Sequence, residues 1–284
     1  MKKNHVIIVL IIMMIASLPL IQATEQEVTN QPKSSIPLTY SQDSEPIIFA
    51  EYASTSWCPN CPTATAAIHE LEQTSNLPFQ YVTLIPDLNP IARNRSWLGY
   101  FNVAIPTVYF DGGFQNFVGR ESDVPSTAAV YENLIIDCIS RDTRRDMTIE
   151  TEVNWEGNAE LDITITVTNN EPSFYIGVLR SFITEINSRW SGSTGEPFHN
   201  AVLDIPIRSI VILAPQQTKT FTEQWDGKED HSGLNFGDIA QDNIMVQSAI
   251  YHWKPTIHTG YESSDITQKY FGFYVDQSDY AIPT

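Results

Sequence analysis

Cys58 and Cys61 are the residues of this chain whose types and spacing are best suited to chemistry, because a C-x-x-C pair can close a small, reversible disulfide. They stand between an apolar run at residues 47–50 and a stretch with helical spacing, which predicts a strand-to-helix junction. At a helix N-terminus, unpaired N–H groups and the helix dipole stabilise a thiolate and lower the pKa of the thiol. We therefore predict that Cys58, the more exposed sulfur, is the nucleophile and that Cys61 resolves the mixed disulfide.

The chain contains only three cysteines, which limits what this pair can be. A small secreted domain held together by disulfides would need more of them. A structural zinc site would need about four ligands, and the sequence has no second C-x-x-C and no H-x-x-x-H. Redox chemistry by the Cys58–Cys61 disulfide itself, with no cofactor and no metal, is the leading prediction. Cys138 falls on the apolar side of a predicted helix, so we expect a buried free thiol that packs as a small hydrophobic residue.

The composition indicates an acidic globular protein with two domains. The 284 residues are 42% hydrophobic and 18% charged, with a formal net charge of −18. At roughly 100–200 residues per domain, this length favours two domains. Because so acidic a chain is repelled by nucleic acid and by anionic lipid, we expect no nucleic-acid partner.

The first 23 residues have the features of an export signal. Lys2 and Lys3 form a positive start, residues 6–15 are an unbroken apolar run, and Ala23 suits the position before a cleavage site. The alternative is an uncleaved membrane anchor, because residues 6–23 are about long enough to span a bilayer. Both interpretations predict an extracytoplasmic protein, which is secreted, periplasmic or on the cell surface. Residues 24–45 are polar and are predicted to be a linker.

Apolar periodicity from residue 46 to residue 145 predicts the element order β-α-β-α-β-β-α. In the second helix, Ile91, Trp97, Leu98 and Phe101 are the apolar members. Asp-Gly-Gly at residues 111–113 predicts the tight turn of a hairpin. The predicted strands are 47–52, 79–85, 103–110 and 114–118, and the predicted helices are 59–74, 91–100 and 124–141.

This order resembles the thioredoxin fold, since Trp57-Cys-Pro-Asn-Cys follows the first strand and Ile105-Pro106-Thr107 precedes the third. The resemblance covers about a third of the chain. It implies a cis bond before Pro106, which would lie against the disulfide and leave neighbouring backbone free to pair with an extended substrate. It also implies that Trp57 shields the disulfide and forms part of a peptide-binding surface. A plain packing role is the alternative for Trp57.

Thioredoxin-like domains often carry a buried acid at the end of the first strand, six residues before the first cysteine. Here Tyr52 stands at that spacing and Glu51 is one residue further away. A loop one residue longer, at residues 54–56, would restore the alignment. A buried carboxylate at Glu51 would then have a raised pKa and could pass a proton to Cys61. An exposed or salt-bridged glutamate is the alternative.

The residues between the cysteines bear on the direction of electron flow. Reductive thioredoxins usually carry Gly-Pro at this place, and oxidising relatives often carry Pro-His. Pro59-Asn60 matches the second kind in its first residue only. Oxidation, reduction and isomerisation of substrates therefore all stay open.

After residue 145 the pattern changes to short alternating runs separated by turns, which predicts an all-β antiparallel sandwich over residues 146–284. The predicted strands are 148–155, 159–167, 174–186, 202–213, 218–225 and 243–253, with an edge strand at 269–275. The predicted fold class is thus an α/β thioredoxin-like domain followed by an all-β, immunoglobulin-like sandwich. The pairing resembles exported prokaryotic proteins, some of which are grouped with an outer-membrane-protein-like family.

The leading functional hypothesis is an extracytoplasmic thiol–disulfide oxidoreductase that uses Cys58 and Cys61. Its expected partners are protein thiols and disulfides, small dithiols, or a partner dithiol oxidoreductase. A hypothesis of another class is a cell-surface binding or structural protein whose thioredoxin-like scaffold holds a permanent disulfide. Metal delivery through the two cysteines is a third, but Met or His ligands are missing nearby.

Overall fold

A computed structural model describes residues 46–102, 104–262 and 267–284 of the chain. The export signal and the linker predicted for residues 1–45 lie outside these described residues. None of the helices in the described part combines the length and apolar character that a membrane crossing needs.

The first hundred described residues have the element order that their periodicity predicts. The elements are β1 (Ile48–Ala53), α1 (Cys61–Thr74), β2 (Phe79–Leu84), α2 (Pro90–Tyr100), β3 (Thr107–Phe110), β4 (Gln115–Val118) and α3 (Val124–Ile139). Most bounds agree with the prediction to within one or two residues, and two starting points differ in an informative way. Helix α1 begins at Cys61 rather than Pro59, and it carries Pro62 in its first turn, where a missing N–H costs nothing. The third strand begins only after Pro106.

The rest of the described chain is built from strands and one short 3-10 turn, with no further α-helix among the described residues. The strands are β5 (Met147–Gly157), β6 (Glu160–Asn169), β7 (Tyr175–Ser191), β8 (Pro197–Asp204), β9 (Arg208–Leu213), β10 (Thr218–Asp226), β11 (Ile244–His252), β12 (Thr256–Glu262), β13 (Thr267–Gly272) and β14 (Val275–Ala281). The single strand predicted at 202–213 is two strands, because Pro206 cannot donate to a ladder and interrupts it. The run predicted as an edge strand at 269–275 includes most of β13, which pairs with β12.

One sheet of the described residues contains strands from both predicted domains. Its order is β14-β11-β7-β8-β2-β1-β3-β4, and β9 pairs with the N-terminal part of β7. Strand β2 pairs in parallel with β1 and meets β8 in parallel at Thr83 and Ala201. The predicted boundary at residue 145 falls between α3 and β5, in a chain whose two segments share this sheet.

A second, three-stranded sheet has the order β10-β6-β5. Its middle strand alternates as predicted, with Leu161, Ile163, Ile165 and Val167 buried. These side chains share one hydrophobic core with buried residues of the larger sheet, among them Leu179, Ile183, Val211 and Val246. Two sheets therefore enclose a common core, and membership of the immunoglobulin-like class stays a prediction.

Strand β1 has helices on one face and the second segment of the chain on the other. Ile48, Ala50 and Tyr52 share a core with buried residues of α1 and α3, namely Ala64, Ala67, Ile68, Leu71, Ile135 and Cys138. Phe49 points to the opposite face, where its ring centroid lies 5.1 Å from that of Phe182 on β7. The alternation of side chains along a strand therefore decides which β1 residues can reach α1.

Candidate functional site

Cys58 and Cys61 form a disulfide bond, and their Cα atoms are 5.4 Å apart. Cys61 is the first residue of α1, whereas Cys58 lies in the preceding loop and donates its N–H to the carbonyl of Thr55 at 3.3 Å. The pair thus lies at a strand-to-helix junction. Both residues are almost fully buried in this closed disulfide, and Cys58, at 3% exposed against 1% for Cys61, is the more exposed of the two by only a small margin.

Asp87, which follows β2, holds the loop that carries the cysteines. Its carboxylate accepts hydrogen bonds from the Ser56 backbone N–H at 3.1 Å and from the Ser56 hydroxyl at 2.6 Å. The N–H of Ser54 donates to the carbonyl of Leu84 at the end of β2, at 2.9 Å. No sequence motif signals this role of Asp87, because it lies 31 residues from its partner.

Trp57 lines an open groove of about 780 Å³ beside the disulfide loop. Its side chain is 68% exposed, which excludes plain packing in the core. Ile105, next to Pro106, lines the same groove, and the end of α2 contributes Trp97 and Phe101, which are 51% and 49% exposed. Three large apolar side chains of this groove therefore remain open to solvent.

The apolar members that the sequence suggested for α2 do not form its buried face. Trp97, Leu98 and Phe101 are exposed, whereas the buried residues are Ala92, Arg95, Ser96 and Tyr100. The reason is that a buried acid pairs with Arg95, so a cation replaces an apolar residue on the inner side of the helix.

The Ile105–Pro106 peptide bond is cis, as the resemblance to thioredoxin implies. Strand β3 begins directly after it, and the carbonyl of Pro106 accepts a hydrogen bond from the N–H of Gly119 at 2.8 Å. Ile105 reaches the groove that Trp57 lines. A role of Pro106 in substrate pairing stays a prediction.

Glu51 is fully buried, and four hydrogen bonds hold its carboxylate. Arg95 donates from Nε at 2.6 Å and from Nη2 at 2.5 Å, the Tyr100 hydroxyl donates at 2.6 Å, and the Tyr251 hydroxyl donates at 2.8 Å. Burial by itself would raise the pKa of Glu51, but Arg95 and Tyr100 outweigh it and hold the pKa below its usual range. The prediction that Glu51 has a raised pKa and passes a proton to Cys61 is therefore wrong. The salt-bridged alternative is what the structure contains.

Alternation along β1 explains this correction. Tyr52 faces α1, where its hydroxyl donates to the carbonyl of Cys61 at 3.2 Å and lies 2.9 Å from Oγ1 of Thr65. Glu51, one residue earlier, points to the opposite face. The loop at residues 54–56 does not restore the alignment, so Tyr52 and not Glu51 is the β1 side chain that reaches Cys61. Burial raises the pKa of Tyr52 to about 12, which keeps its hydroxyl protonated near neutral pH.

The turn between β7 and β8 contacts the backbone of Cys58. The Ser193 hydroxyl donates to the carbonyl of Cys58 at 2.8 Å. Gly192 and Thr194 line a cavity of about 280 Å³ together with Cys61. The sequence marks residues 191–195 as a turn by composition, but nothing in it indicates that this turn reaches a cysteine more than 130 residues away.

Strand β8 is attached to α1 by a cluster of polar side chains. The rings of His69 and His199 stack with centroids 3.6 Å apart, and the Asn200 amide donates to Glu72 at 2.8 Å. Burial lowers the pKa of both histidines, and the neighbouring His199 lowers that of His69 further. Burial also raises the pKa of Glu72 to about 7.

Replacing Glu72 with glutamine is expected to remove a pH dependence of stability. Because the pKa of Glu72 rises on folding from 4.5 to about 7, the folded state binds more protons in this interval and its stability falls as the pH rises. The difference is worth about 1–3 kcal/mol after allowance for partial exposure. Glutamine cannot ionise, and its amide oxygen still accepts from Asn200. Urea unfolding at about pH 5 and about pH 7.5 measures the slope.

Glu70→Gln, an exposed position on the same helix, is the matched control and should leave that slope unchanged. An equal slope in the wild type and in Glu72→Gln would contradict the prediction.

Cys138 is a free cysteine in the core that β1 shares with α1 and α3, as expected. Burial raises the pKa of its thiol, so it remains protonated near neutral pH. Within the described residues, no group of three or more His, Cys, Asp or Glu side chains is arranged to hold a metal ion.

These features define a mixed α/β protein with a thioredoxin-like element order and a disulfide at the start of its first helix. Among solved structures, the chain is similar to HBP35 of Porphyromonas gingivalis, with a TM-score of 0.62 and 10% identity over 84% of this chain and 76% of that chain. This similarity fits a thioredoxin-like fold. Because it covers 84% of the chain, it extends well beyond the first hundred described residues.

Two further solved structures are similar to the chain. Protein AGR_C_4864 from Agrobacterium tumefaciens has a TM-score of 0.47 and 12% identity over 86% of this chain and 97% of that chain. A domain of the outer membrane lipoprotein Omp28 from Porphyromonas gingivalis has a TM-score of 0.26 and 11% identity over 49% of this chain and 88% of that domain. No protein-family model matches the chain, and no curated protein matches it.

Proposed function

We propose that the protein is a thiol–disulfide oxidoreductase whose redox group is the Cys58–Cys61 disulfide. The observation that carries the proposal is the position of this disulfide, at the first residue of α1 and beside a groove lined by Trp57 and Ile105. The N-terminus of α1 would stabilise a thiolate when the disulfide is reduced. The groove offers apolar side chains to a bound polypeptide.

The exchange needs no cofactor. A substrate thiolate attacks the sulfur of Cys58, the Cys58–Cys61 bond breaks, and its electron pair leaves with Cys61, which takes up a proton. A second substrate thiolate then attacks the substrate sulfur of the mixed disulfide, and Cys58 leaves as a thiolate. The substrate dithiol becomes a disulfide, and the protein becomes a dithiol that an external disulfide reoxidises. The same steps in reverse reduce a substrate.

The proposed partners are protein thiols and disulfides, and the proposed compartment is extracytoplasmic. The compartment rests on the signal-like residues 1–23, and attachment to a membrane through residues 6–23 is the variant of this proposal. Disulfides persist outside the cytoplasm, where such an enzyme would find its substrates.

A second candidate is a binding or structural protein in which this disulfide is permanent. It is favoured by the burial of both cysteines and by the hydrogen bond from Ser193 to the carbonyl of Cys58. Both features would hinder the approach of a thiol. The two candidates differ in the reduction potential of the disulfide and in its ability to form mixed disulfides.

Two measurements on the intact protein test the proposal. The potential of the Cys58–Cys61 couple is measured by equilibration with glutathione, and a redox-active site should lie above about −300 mV. A Cys61→Ser variant cannot resolve a mixed disulfide. It should therefore accumulate a mixed disulfide when it is incubated with a peptide that contains a disulfide bond. The matched control is Cys58→Ser/Cys61→Ser, which should trap nothing. A lower potential together with no trapped species would favour the permanent disulfide.

A further inference from the structure

The turn between β7 and β8 stands beside the proposed redox site and has no part in the chemistry described above. It comprises residues 192–196, and it belongs to the second segment of the chain. Most of these residues are exposed, yet the Ser193 hydroxyl reaches inward to the carbonyl of Cys58 at 2.8 Å. The turn therefore lies on the surface directly beside the buried disulfide.

We propose that this turn determines which thiols reach Cys58 and Cys61, and that it selects thiols on extended chains or small molecules over cysteines on folded surfaces. The proposal rests on the proposed oxidoreductase function and names its substrate class. Two spaces adjoin the disulfide loop, and they differ in size. Gly192 and Thr194 of the turn line a cavity of about 280 Å³ together with Cys61. The groove that Trp57 lines is larger, at about 780 Å³.

The cavity beside the turn has a volume of only about 280 Å³, and Pro62 and Thr65 on α1 and Phe198 on β8 also line it. Both cysteines are buried, and the turn lies against Cys58. A folded protein presents its cysteine on a broad surface, so we expect that surface to meet the turn before the cysteine reaches the disulfide. A thiol on an extended segment needs only the width of one chain, and it can lie along the groove at Trp57.

Contacts behind the turn keep it in place. Strand β8 is attached to α1 by the His69–His199 stack and by the hydrogen bond from Asn200 to Glu72. Strands β7 and β8 are paired up to Ser191 and Pro197, on either side of the turn. The turn is thus held against the helix that carries Cys61, and it does not depend on the hydrogen bond of Ser193 alone.

The test compares the rates at which three reductants open the disulfide. They are dithiothreitol, a short unstructured peptide dithiol, and a reduced folded thioredoxin. One variant replaces residues 192–196 with Asn-Gly, which closes a two-residue hairpin. It is expected to react about tenfold faster with the folded thioredoxin and less than about twofold faster with the other two, because access limits exchange only for the bulky partner.

Ser193→Ala is a second variant that keeps the turn and removes its contact with Cys58. It should accelerate the reaction with the folded partner by about threefold, less than the shortened turn does, because the tip of the turn loses its contact with Cys58 while the strands still hold its base. Ser191→Ala, an exposed position in the same hairpin, is the matched control and should leave all three rates unchanged. Circular dichroism and thermal unfolding establish that each variant folds.

The outcomes separate this proposal from the function on which it rests. If the shortened turn accelerates all three reductants equally, or none of them while the peptide still reacts, selection by the turn is refuted and the redox function stands. If neither the wild type nor the shortened variant reacts with the peptide or with dithiothreitol, the proposed oxidoreductase function itself is refuted.

Discussion

Replacing Cys58 with serine is expected to lower the rate of thiol–disulfide exchange by about a thousand-fold or more, because it removes the sulfur that bonds to the substrate. Cys61→Ser should keep the first chemical step and lose only the resolution of the mixed disulfide. The difference follows from the positions of the two residues. Cys58 lies in the loop beside Trp57, whereas Cys61 is the first residue of α1.

The measurement is the rate at which each variant, with one of the two site cysteines replaced, attacks an aromatic disulfide reagent at neutral pH. Cys61→Ser, with its Cys58 thiol, should react quickly, and Cys58→Ser should react slowly. Cys138→Ser controls for the third cysteine and should match the wild-type protein in exchange, because that thiol is buried in the core. Equal rates for the Cys58 and Cys61 variants would show that the attacking sulfur is misassigned.

Local sequence patterns were sufficient to predict the parts of the site that depend on neighbouring residues. The C-x-x-C pair, the helix after it and the strand before it all follow from short-range periodicity. The cis bond before Pro106 needed the family resemblance, because sequence alone gives an X–Pro bond only minority odds of being cis. The cysteine pair, the strand and the helix are therefore encoded locally, whereas the cis bond is not.

The parts that sequence could not predict depend on contacts across the chain. Tyr251 on β11 donates to Glu51 across 200 positions, and Ser193 donates to Cys58 across 135. Strand β8 continues the β1–β2 sheet although it belongs to the second predicted domain. Periodicity describes one element at a time, so it cannot indicate which distant strand or turn will cover a given face.

The buried face of α2 was predicted wrongly for the same reason, a contact with a residue that is distant in sequence. An amphipathic pattern assigns apolar residues to the inner face, which places Trp97 and Phe101 inside and Arg95 outside. The opposite holds, because Glu51 on β1 offers Arg95 a buried partner. The exposure of the two aromatic rings then becomes informative, since large apolar side chains left open beside a disulfide suggest a binding groove.

Removing one partner of the buried Glu51–Arg95 ion pair should be strongly destabilising. Replacing Arg95 with methionine is expected to destabilise the fold by about 3–5 kcal/mol at neutral pH, because it leaves the Glu51 carboxylate buried without its counter-ion. Urea unfolding at pH 7 measures the loss. Arg93→Met, a partly exposed position on the same helix, is the matched control and should cost about 1 kcal/mol or less.

The pH dependence of this loss distinguishes an unpaired charge from a simple packing defect. In the wild type the pKa of Glu51 is below its usual value, so the stabilisation is present above about pH 4.5 and is lost as the pH falls through the folded-state pKa. In Arg95→Met the buried carboxyl is expected to take up a proton more readily, since the largest interaction that opposes the effect of burial is lost. The destabilisation should therefore shrink as the solution is acidified towards about pH 4.

A double variant, Glu51→Leu/Arg95→Met, tests whether the unpaired charge causes the destabilisation. It removes both charges, so it should recover much of the stability that Arg95→Met loses, and its own free energy of unfolding should lack the loss on acidification that Glu51 causes in the wild type. A double variant no more stable than Arg95→Met would mean that packing around Arg95, and its stacking on Tyr100 with the guanidinium carbon 4.6 Å from the ring centroid, stabilises the fold more than the charge pair does.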